Sequence, residues 1–473
     1  MPRTQTTSSE LGSEALLEAA EAIVAHAANA PGVEDAEARV ALTVNSFCRF
    51  ADVGPTQSAE RARLDVDLRL RTKGADGGLH EASVSGQSLD LDSIEALVAR
   101  GRELADVSPA LDEPVPLGGA IQGDRSKLRG RPDAQTVAHD GAAKAPVVDA
   151  AVRRCEEAGL MPAGLFDTTG VAKALANSAG RAVHFEGTRA GFSLTASERD
   201  GNAIGGAGWN EGVANRVGDL DTDSIARIAC EKAAPGVARV SVEPGEYTVV
   251  LEPSAVSSLL LFASYVGFGA KDVAERSSFL CERIGEPLFR EELCIRDRWN
   301  HPLYQVCGFD GEGTPTRALA LLEKGALTGP VTNRLYAHKN QDDPDASTGH
   351  CIAGSAGPRP QALSIDAGDQ SREALVAGVE RGLLVTQFHY TNLIDPREML
   401  LTGMTRNGLF LIENGEVTRP LTNLRFTQGL VTALQNIAGI GDDLDVAGAL
   451  FDGEVIVPSL RIDGFRFTSA TDF

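Results

Sequence analysis

The chain has few aromatic residues, 5%, and much glycine, 50 of 473 residues. That balance argues against long helical bundles and for many turns and β structure. Histidine is scarce: of His26, His80, His139, His184, His301, His338, His350 and His389, none pairs as HxH, HxxH or HExxH. The seven cysteines, Cys48, Cys155, Cys230, Cys281, Cys294, Cys307 and Cys351, are odd in number and lack a CxxC spacing. They therefore make neither a disulfide framework nor a zinc ribbon, and reduced thiols in a cytosol are expected. Positive charge is short, 44 Lys and Arg against 66 Asp and Glu, for a net charge of −22. An acidic surface repels phosphate backbones, which argues against a nucleic-acid partner. The basic run Arg125–Arg131 is interrupted by Gly and Pro and reads as a solvated loop. Long apolar runs are missing as well. The longest, Ala255–Ala270, holds three serines and two glycines and falls short of the roughly 20 residues a membrane span needs. Met1–Glu21 has no apolar region behind a basic start, so no secretory signal is expected there. No GxSxG elbow occurs, Gly205-Gly206-Ala207-Gly208 lacks the Lys-Ser/Thr of a P-loop, and no repeat of 20–50 residues is seen.

What is present suffices for large cores: hydrophobic residues make up 42% of the 473, a length that implies two large or three smaller domains. Leu16, Ala20, Ile23, Val24 and Ala27 recur at helical spacing, with Ser13 as the expected N-cap. Residues 38–51 and the strictly alternating Leu64–Arg71 read as strands, and Gly74–Gly78 turns the latter into a return strand at His80–Ser85. Asp92-Ser93-Ile94-Glu95 has the form of a capping box for a helix burying Ile94, Leu97, Val98 and Leu104. A structureless connection is expected over 106–134, helix over 135–160 and 222–234, and strand from Val183 to Gly206 with a turn at Asp200-Gly201. Pro235–Pro244 reads as a junction, giving an N-terminal domain over 1–235 and a C-terminal domain over 236–473. The second opens with a strand, Tyr247–Leu251, and a helix from Pro253 that is apolar nearly all round, the mark of burial. Asn407-Gly408 and Asn414-Gly415 are turn signals around Leu409–Ile412, and Glu454–Phe467 closes the chain in strands. The fold class expected is α+β: a helix-flanked antiparallel sheet, then a β-rich, barrel-like domain around the buried helix.

Several stretches, in order, carry a resemblance. Pro244–Pro253 leads into the helix, Ala263-Ser264-Tyr265-Val266-Gly267-Phe268-Gly269 ends it, and Ser277-Ser278-Phe279-Leu280 follows. Further on come Leu401-Thr402-Gly403, Gly408–Val417 with Arg419-Pro420, Asn423–Gly429 and Ile437–Gly441. Together they resemble the TldD/TldE (PmbA) family, whose catalytic branch carries His-Glu-x-x-x-His in this helix. In such a motif two histidines hold one Zn²⁺ and the glutamate serves as base for its bound water. In this sequence Ala263 and Phe268 stand at the histidine positions and Ser264 at the glutamate position. The third ligand of the catalytic members is a cysteine whose region falls near Ala447–Phe451, and no cysteine lies beyond Cys351. The resemblance thus implies a TldE-like subunit with no catalytic residue and no metal of its own. It would pair with a TldD-like zinc subunit in a heterodimer enclosing a chamber where peptides are cut, in the cytoplasm and without membrane or nucleic acid.

Two alternatives stay open: a related pair that tailors a natural product or peptide precursor, or a stand-alone binding or regulatory protein, as the old family label "modulator of DNA gyrase" suggests. Much alanine, with Arg over Lys, is the composition of a high-GC bacterium. Phe388-His389-Tyr390-Thr391-Asn392 mixes aromatic and polar groups beside the strongest hairpin signal, so His389, Tyr390 and Asn392 are candidates for a substrate groove, with His350. His350 and Cys351 are neighbours in sequence, and adjacent side chains rarely aim at one metal.

Overall fold

The computed structural model describes residues 12–123, 126–198, 206–354, 357–449 and 453–471. The N-terminal half runs α1 (Ser13–Ala28), β1 (Val33–Ala51), β2 (Gly54–Lys73), β3 (Leu79–Gly86), α2 (Leu91–Val107), α3 (Ala134–Val137), α4 (Gly141–Glu157), β4 (Leu160–Asn177), β5 (Ala182–Glu198), β6 (Ala207–Ala214) and α5 (Thr222–Ala233). Its six strands form one antiparallel sheet in the order β3-β2-β1-β4-β5-β6. α1 and α2 bury Leu16, Ile23, Leu97 and Val98 against Val40, Val66 and Leu68 of one sheet face. α4 and α5 bury Val148, Val152 and Ile225 against Phe166, Phe192 and Leu194 further along the sheet. β1, β2, β4 and β5 are 17–20 residues long, which leaves room for the two helix pairs to pack one after the other along the sheet.

Three local expectations need correction. Gly12, not Ser13, is the N-cap of α1; Ser13 is buried and its hydroxyl lies 2.8 Å from Nδ1 of His184. The cap of α2 is Asp90, whose carboxylate accepts from the Ser93 N–H at 2.8 Å, two residues before the expected box. That start leaves Leu104 41% exposed and turns Gly101 and Ala105 inward instead. The connection over 106–134 is pinned rather than loose. Val115 and Leu128 are buried, and Asn177 and Arg181 donate to the carbonyls of Gly118 and Gly119. The expected turn at Asp200-Gly201 lies outside the described residues.

The C-terminal half runs β7 (Glu246–Leu251), α6 (Pro253–Val266), α7 (Ala270–Ala274), β8 (Ile295–Asp297), β9 (Leu319–Glu323), β10 (Ala326–Leu327), α8 (Arg334–Gln341), β11 (Leu363–Ile365), α9 (Arg372–Ala377), β12 (Arg381–Asp395), β13 (Leu400–Glu413), β14 (Glu416–Pro420), β15 (Leu424–Gly429), α10 (Leu430–Gln435), β16 (Ile437–Ile440), β17 (Asp445–Ala449), β18 (Gly453–Val457) and β19 (Leu460–Ala470). Strands β12-β7-β19-β15-β13 close into a five-strand barrel because β13 pairs back to β12. A second sheet has the order β10-β9-β8-β11-β18-β17. A barrel of five strands is too narrow to hold a helix. α6 therefore packs between the two layers, on β12 of the barrel and on β17 and β18 of the second sheet. Ala255, Val256, Leu259, Leu260 and Leu261 of α6 are all buried, as an all-round apolar helix requires.

The two Asn-Gly signals differ in outcome. Asn414-Gly415, with φ of 53° and 81°, makes the two-residue turn between β13 and β14. Asn407-Gly408 makes no turn. It sits inside β13, where Val385 faces Leu409 and Gln387 faces Arg406, so two residues stand opposite Thr386 alone. This is a β-bulge, and it uses the same positive φ values, 55° and 139°, that a turn would.

The halves are joined by partly buried polar contacts. Lys232 of α5 reaches Glu252 at 2.6 Å and Arg372 reaches the same carboxylate at 2.8 Å. Arg181 donates to the Thr314 hydroxyl at 2.8 Å, and Arg189 meets Glu454 at 2.5 Å. Among the described residues no helix is long and apolar enough to cross a membrane.

Candidate functional site

α6 begins where Glu252 caps it through its backbone only, the carboxylate being held by Lys232 and Arg372. Pro253 at the first turn fits, since its missing N–H has no helical partner there anyway. At the far end, Ala263 and Phe268 are each 1% exposed. The Phe268 ring packs edge-on against Phe279 with centroids 5.2 Å apart, amid Leu260, Phe289 and Leu430. A side chain at Gly267 would strike Phe279 and the Ala263 carbonyl, which explains the glycine at this exit. The Ser264 hydroxyl donates to the Pro360 carbonyl at 2.7 Å. Ala263 and Phe268 carry no donor atom, and Ser264 is engaged with backbone, so these three side chains do not fit a metal ion. Among the described residues no group of three or more His, Cys, Asp or Glu converges in ligand geometry.

Next to Ser264 opens a pocket of about 140 Å³ lined by Tyr265, Arg359 and Glu454, in which the Arg359 guanidinium lies over the Tyr265 ring at 4.4 Å. Glu454 also lines a much larger cleft, of about 870 Å³, between the N-terminal sheet and the C-terminal half. Pockets for ligands commonly measure about 300–1,000 Å³ and favour domain boundaries.

The floor of the cleft is the sheet face that the helices leave bare. Asn45, Phe47 and Arg49 of β1, Gln57 and Arg61 of β2, Asp167, Thr169 and Lys173 of β4, and Arg189 of β5 all contribute. They share one face because side chains alternate along a strand and all are odd-numbered in a straight register. Arg61, Asn45, Thr169 and Arg189 stand in one cross-strand row. The roof comes from Tyr304–Cys307, Gly448 and Glu454.

Charge in the cleft is uneven. Arg189 is held between Asp167 and Glu454, each at 2.5 Å. Arg49, Arg61 and Lys173 form no ion pair with any described carboxylate; Arg61 instead lies over the Phe47 ring at 5.1 Å. The lining therefore carries four cations against two carboxylates, in a chain whose net charge is −22. Burial pushes the Cys307 thiol up to about 11, which keeps it protonated at neutral pH and unfit as a nucleophile. Burial also raises the Asp167 carboxyl, against the pull of Arg189, and raises the Tyr304 phenol. The cleft lining thus has an excess of positive charge.

The groove candidates lie elsewhere. His389, Tyr390 and Asn392 sit together on β12 at a register irregularity; Tyr390 is 66% exposed with φ of 50°. The His389 ring lies 4.3 Å from that of Tyr390, and burial together with the Arg406 guanidinium holds its imidazole below the ordinary value. His350 is fully buried, 3.3 Å from Asp297, with its other ring nitrogen 3.0 Å from the Thr348 hydroxyl. None of the four is among the residues lining the cleft. The cations that do line it were not singled out from the sequence. The available signal was a set of same-parity Arg and Lys on the long strands, which means nothing until the strand pairing is known.

Comparison with known proteins places the fold. Residues 139–234 match the PmbA/TldA metallopeptidase central domain and residues 244–469 the PmbA/TldA metallopeptidase C-terminal domain. The chain is similar to a metalloprotease of Methanothermobacter thermautotrophicus, 22% identical over 57% of this chain and 60% of that protein. It is also similar to the metalloprotease PmbA of Escherichia coli O157:H7, 27% identical over 43% of each. The matched stretches span about half the length of these curated relatives. In structure it is similar to TldE from Thermococcus kodakarensis, with a TM-score of 0.81 over 95% of this chain and 100% of that one at 19% identity. Two family domains in sequence order, over most of the chain and on this fold, show that the protein belongs to the TldD/TldE (PmbA) family.

Proposed function

We propose that this chain is the TldE-like, non-catalytic subunit of a two-subunit zinc peptidase of the cytoplasm. It pairs with a TldD-like chain bearing His-Glu-x-x-x-His and shapes the chamber in which peptides are cut. The observation that carries this reading is the state of Ala263, Ser264 and Phe268. The first and last are core residues without donor atoms, and the hydroxyl of the second is used by Pro360. A scaffold that keeps the family's sheet, barrel and central helix while these positions serve packing has its use in what it binds and holds.

The test is recovery of the tagged full chain from its native cytosol, with zinc measured on the lone chain and on the complex. A metal-free lone chain that brings down a partner with His-Glu-x-x-x-His, at about one zinc per pair, is the expected result. Stoichiometric zinc on the lone chain, or a partner-free monomer or homodimer, would overturn it.

A further inference from the structure

We infer that the cleft between the N-terminal sheet and the C-terminal half binds acidic peptide segments in extended form, a substrate class for the peptide-handling role proposed above, on which this inference rests. Three observations converge. First, Arg49, Arg61 and Lys173 project into a cavity of about 870 Å³ without ion-pairing to any described carboxylate. A cation left unpaired in a chain of net charge −22 is available to a ligand.

Second, these cations are spread out, not focused. Arg49 lies opposite Leu165, and Lys173 is eight residues further along β4. At about 3.3 Å per residue that is about 26 Å along the strand, while the row from Arg61 to Arg189 crosses three strand spacings, about 14 Å. No single phosphate or dicarboxylate touches both ends of such an array; an extended chain of about eight residues does. Third, the floor between the charges is mixed, with Phe47 and Val171 as apolar contacts and Asn45 and Thr169 as hydrogen-bonding groups. That lining suits side chains and backbone of a peptide. A bare polyanion would leave the apolar part unused. The Arg189–Asp167–Glu454 cluster ties the roof to the floor.

The experiment is calorimetric titration of the full chain with an eight-residue peptide alternating Glu with Ala and Leu. Its Gln counterpart and an eight-nucleotide single-stranded oligothymidylate run in parallel. The acidic peptide should bind, the Gln peptide at least about tenfold more weakly, and added salt should weaken binding steadily. The triple variant Arg49→Gln/Arg61→Gln/Lys173→Gln should raise the Kd about tenfold or more, with an unchanged melting temperature, since all three side chains are exposed. Equal affinity for the Gln peptide, equal affinity of the triple variant, no binding of the acidic peptide, or binding of the oligothymidylate as tightly would each overturn the inference. Its failure is separable from failure of the subunit reading. A chain that recovers its zinc-bearing partner but ignores the peptide sinks the cleft alone. One that binds the peptide yet carries its own zinc sinks the subunit reading alone.

Discussion

Replacing Phe268 with alanine tests whether the end of α6 is wedged into the core, as the proposed non-catalytic role requires. The ring is 1% exposed, packed edge-on to Phe279 at 5.2 Å and enclosed by Leu260, Phe289, Leu327 and Leu430. Removing a buried Phe ring loses its transfer free energy and leaves a cavity the neighbours only partly fill, a cost of about 3–5 kcal/mol. Urea unfolding reads this cleanly because each half has one tryptophan, Trp209 and Trp299. In a Trp209→Phe background, Trp299 reports the C-terminal half. With a slope of about 3 kcal/mol/M the midpoint should fall by about 1–1.7 M. A fall under about 0.3 M would show that Phe268 is not wedged into the core, and the proposal that this position serves packing instead of metal binding would fail with it. The companion variant Ala263→His/Ser264→Glu/Phe268→His should be destabilised and still bind no stoichiometric zinc. It places imidazoles among apolar side chains and supplies no third ligand.

Other expectations follow from particular groups. Burial pushes the Glu252 carboxyl up, but Lys232 and Arg372 outweigh it and hold the carboxyl below its ordinary value of 4.5. Its stabilisation is thus present above about pH 4.5 and lost as pH falls through the lower folded value. Glu252→Gln should cost about 3 kcal/mol at pH 7 by leaving two cations without their carboxylate, and should flatten the acid side of a plot of Tm against pH. Glu211 behaves oppositely: burial pushes it up to about 8, only partly offset by the Gly448 N–H. A raised carboxyl favours the folded state below the unfolded pKa and loses that benefit as pH rises toward about 8. Glu211→Gln should therefore match the parent near pH 4 and melt higher than it at pH 9; a lower Tm at pH 9 would refute this. Gly408→Ala forces φ of 139° on a residue with a Cβ and drives that atom to 2.4 Å from the Thr386 hydroxyl. A loss of about 1–3 kcal/mol by urea unfolding is expected.

The elements legible in the sequence are those whose signal is local. α1 shows its face through Leu16, Ala20, Ile23, Val24 and Ala27, all of which are buried, and α6 shows by its all-round apolarity that it lies between layers. Where two local solutions share the same residues, the sequence alone is ambiguous. Asn407-Gly408 and Asn414-Gly415 supply the same backbone freedom, yet one is a bulge and the other a turn. The choice is made by the partner strand: β12 continues past Val385, so β13 must absorb an extra residue rather than reverse. Caps show the same limit, for Asp90 and Asp92 are equally able to cap α2. The register that buries Leu97, Gly101 and Ala105 selects the first.

The cleft lies beyond that limit for a different reason. Each contributing residue looks ordinary in its own strand, since an exposed Arg or Lys on a polar sheet face is what solvent would select. Arg61 and Arg189 are 128 positions apart, and only the pairings β2–β1, β1–β4 and β4–β5 bring them into one row. The roof, from Tyr304 to Cys307 and at Glu454, belongs to the other half of the chain. The end of α6 and the cleft proposed to bind acidic peptides meet at one residue. Glu454 lines the pocket beside Ser264 and also anchors Arg189. Losing that carboxylate would free Arg189 on one side and add a third unit of positive excess to the cleft. Glu454→Gln should therefore tighten binding of an acidic peptide while Arg49→Gln weakens it. Opposite signs from two neutralising changes in one cavity follow from the charge balance and have no explanation in a general loss of fold.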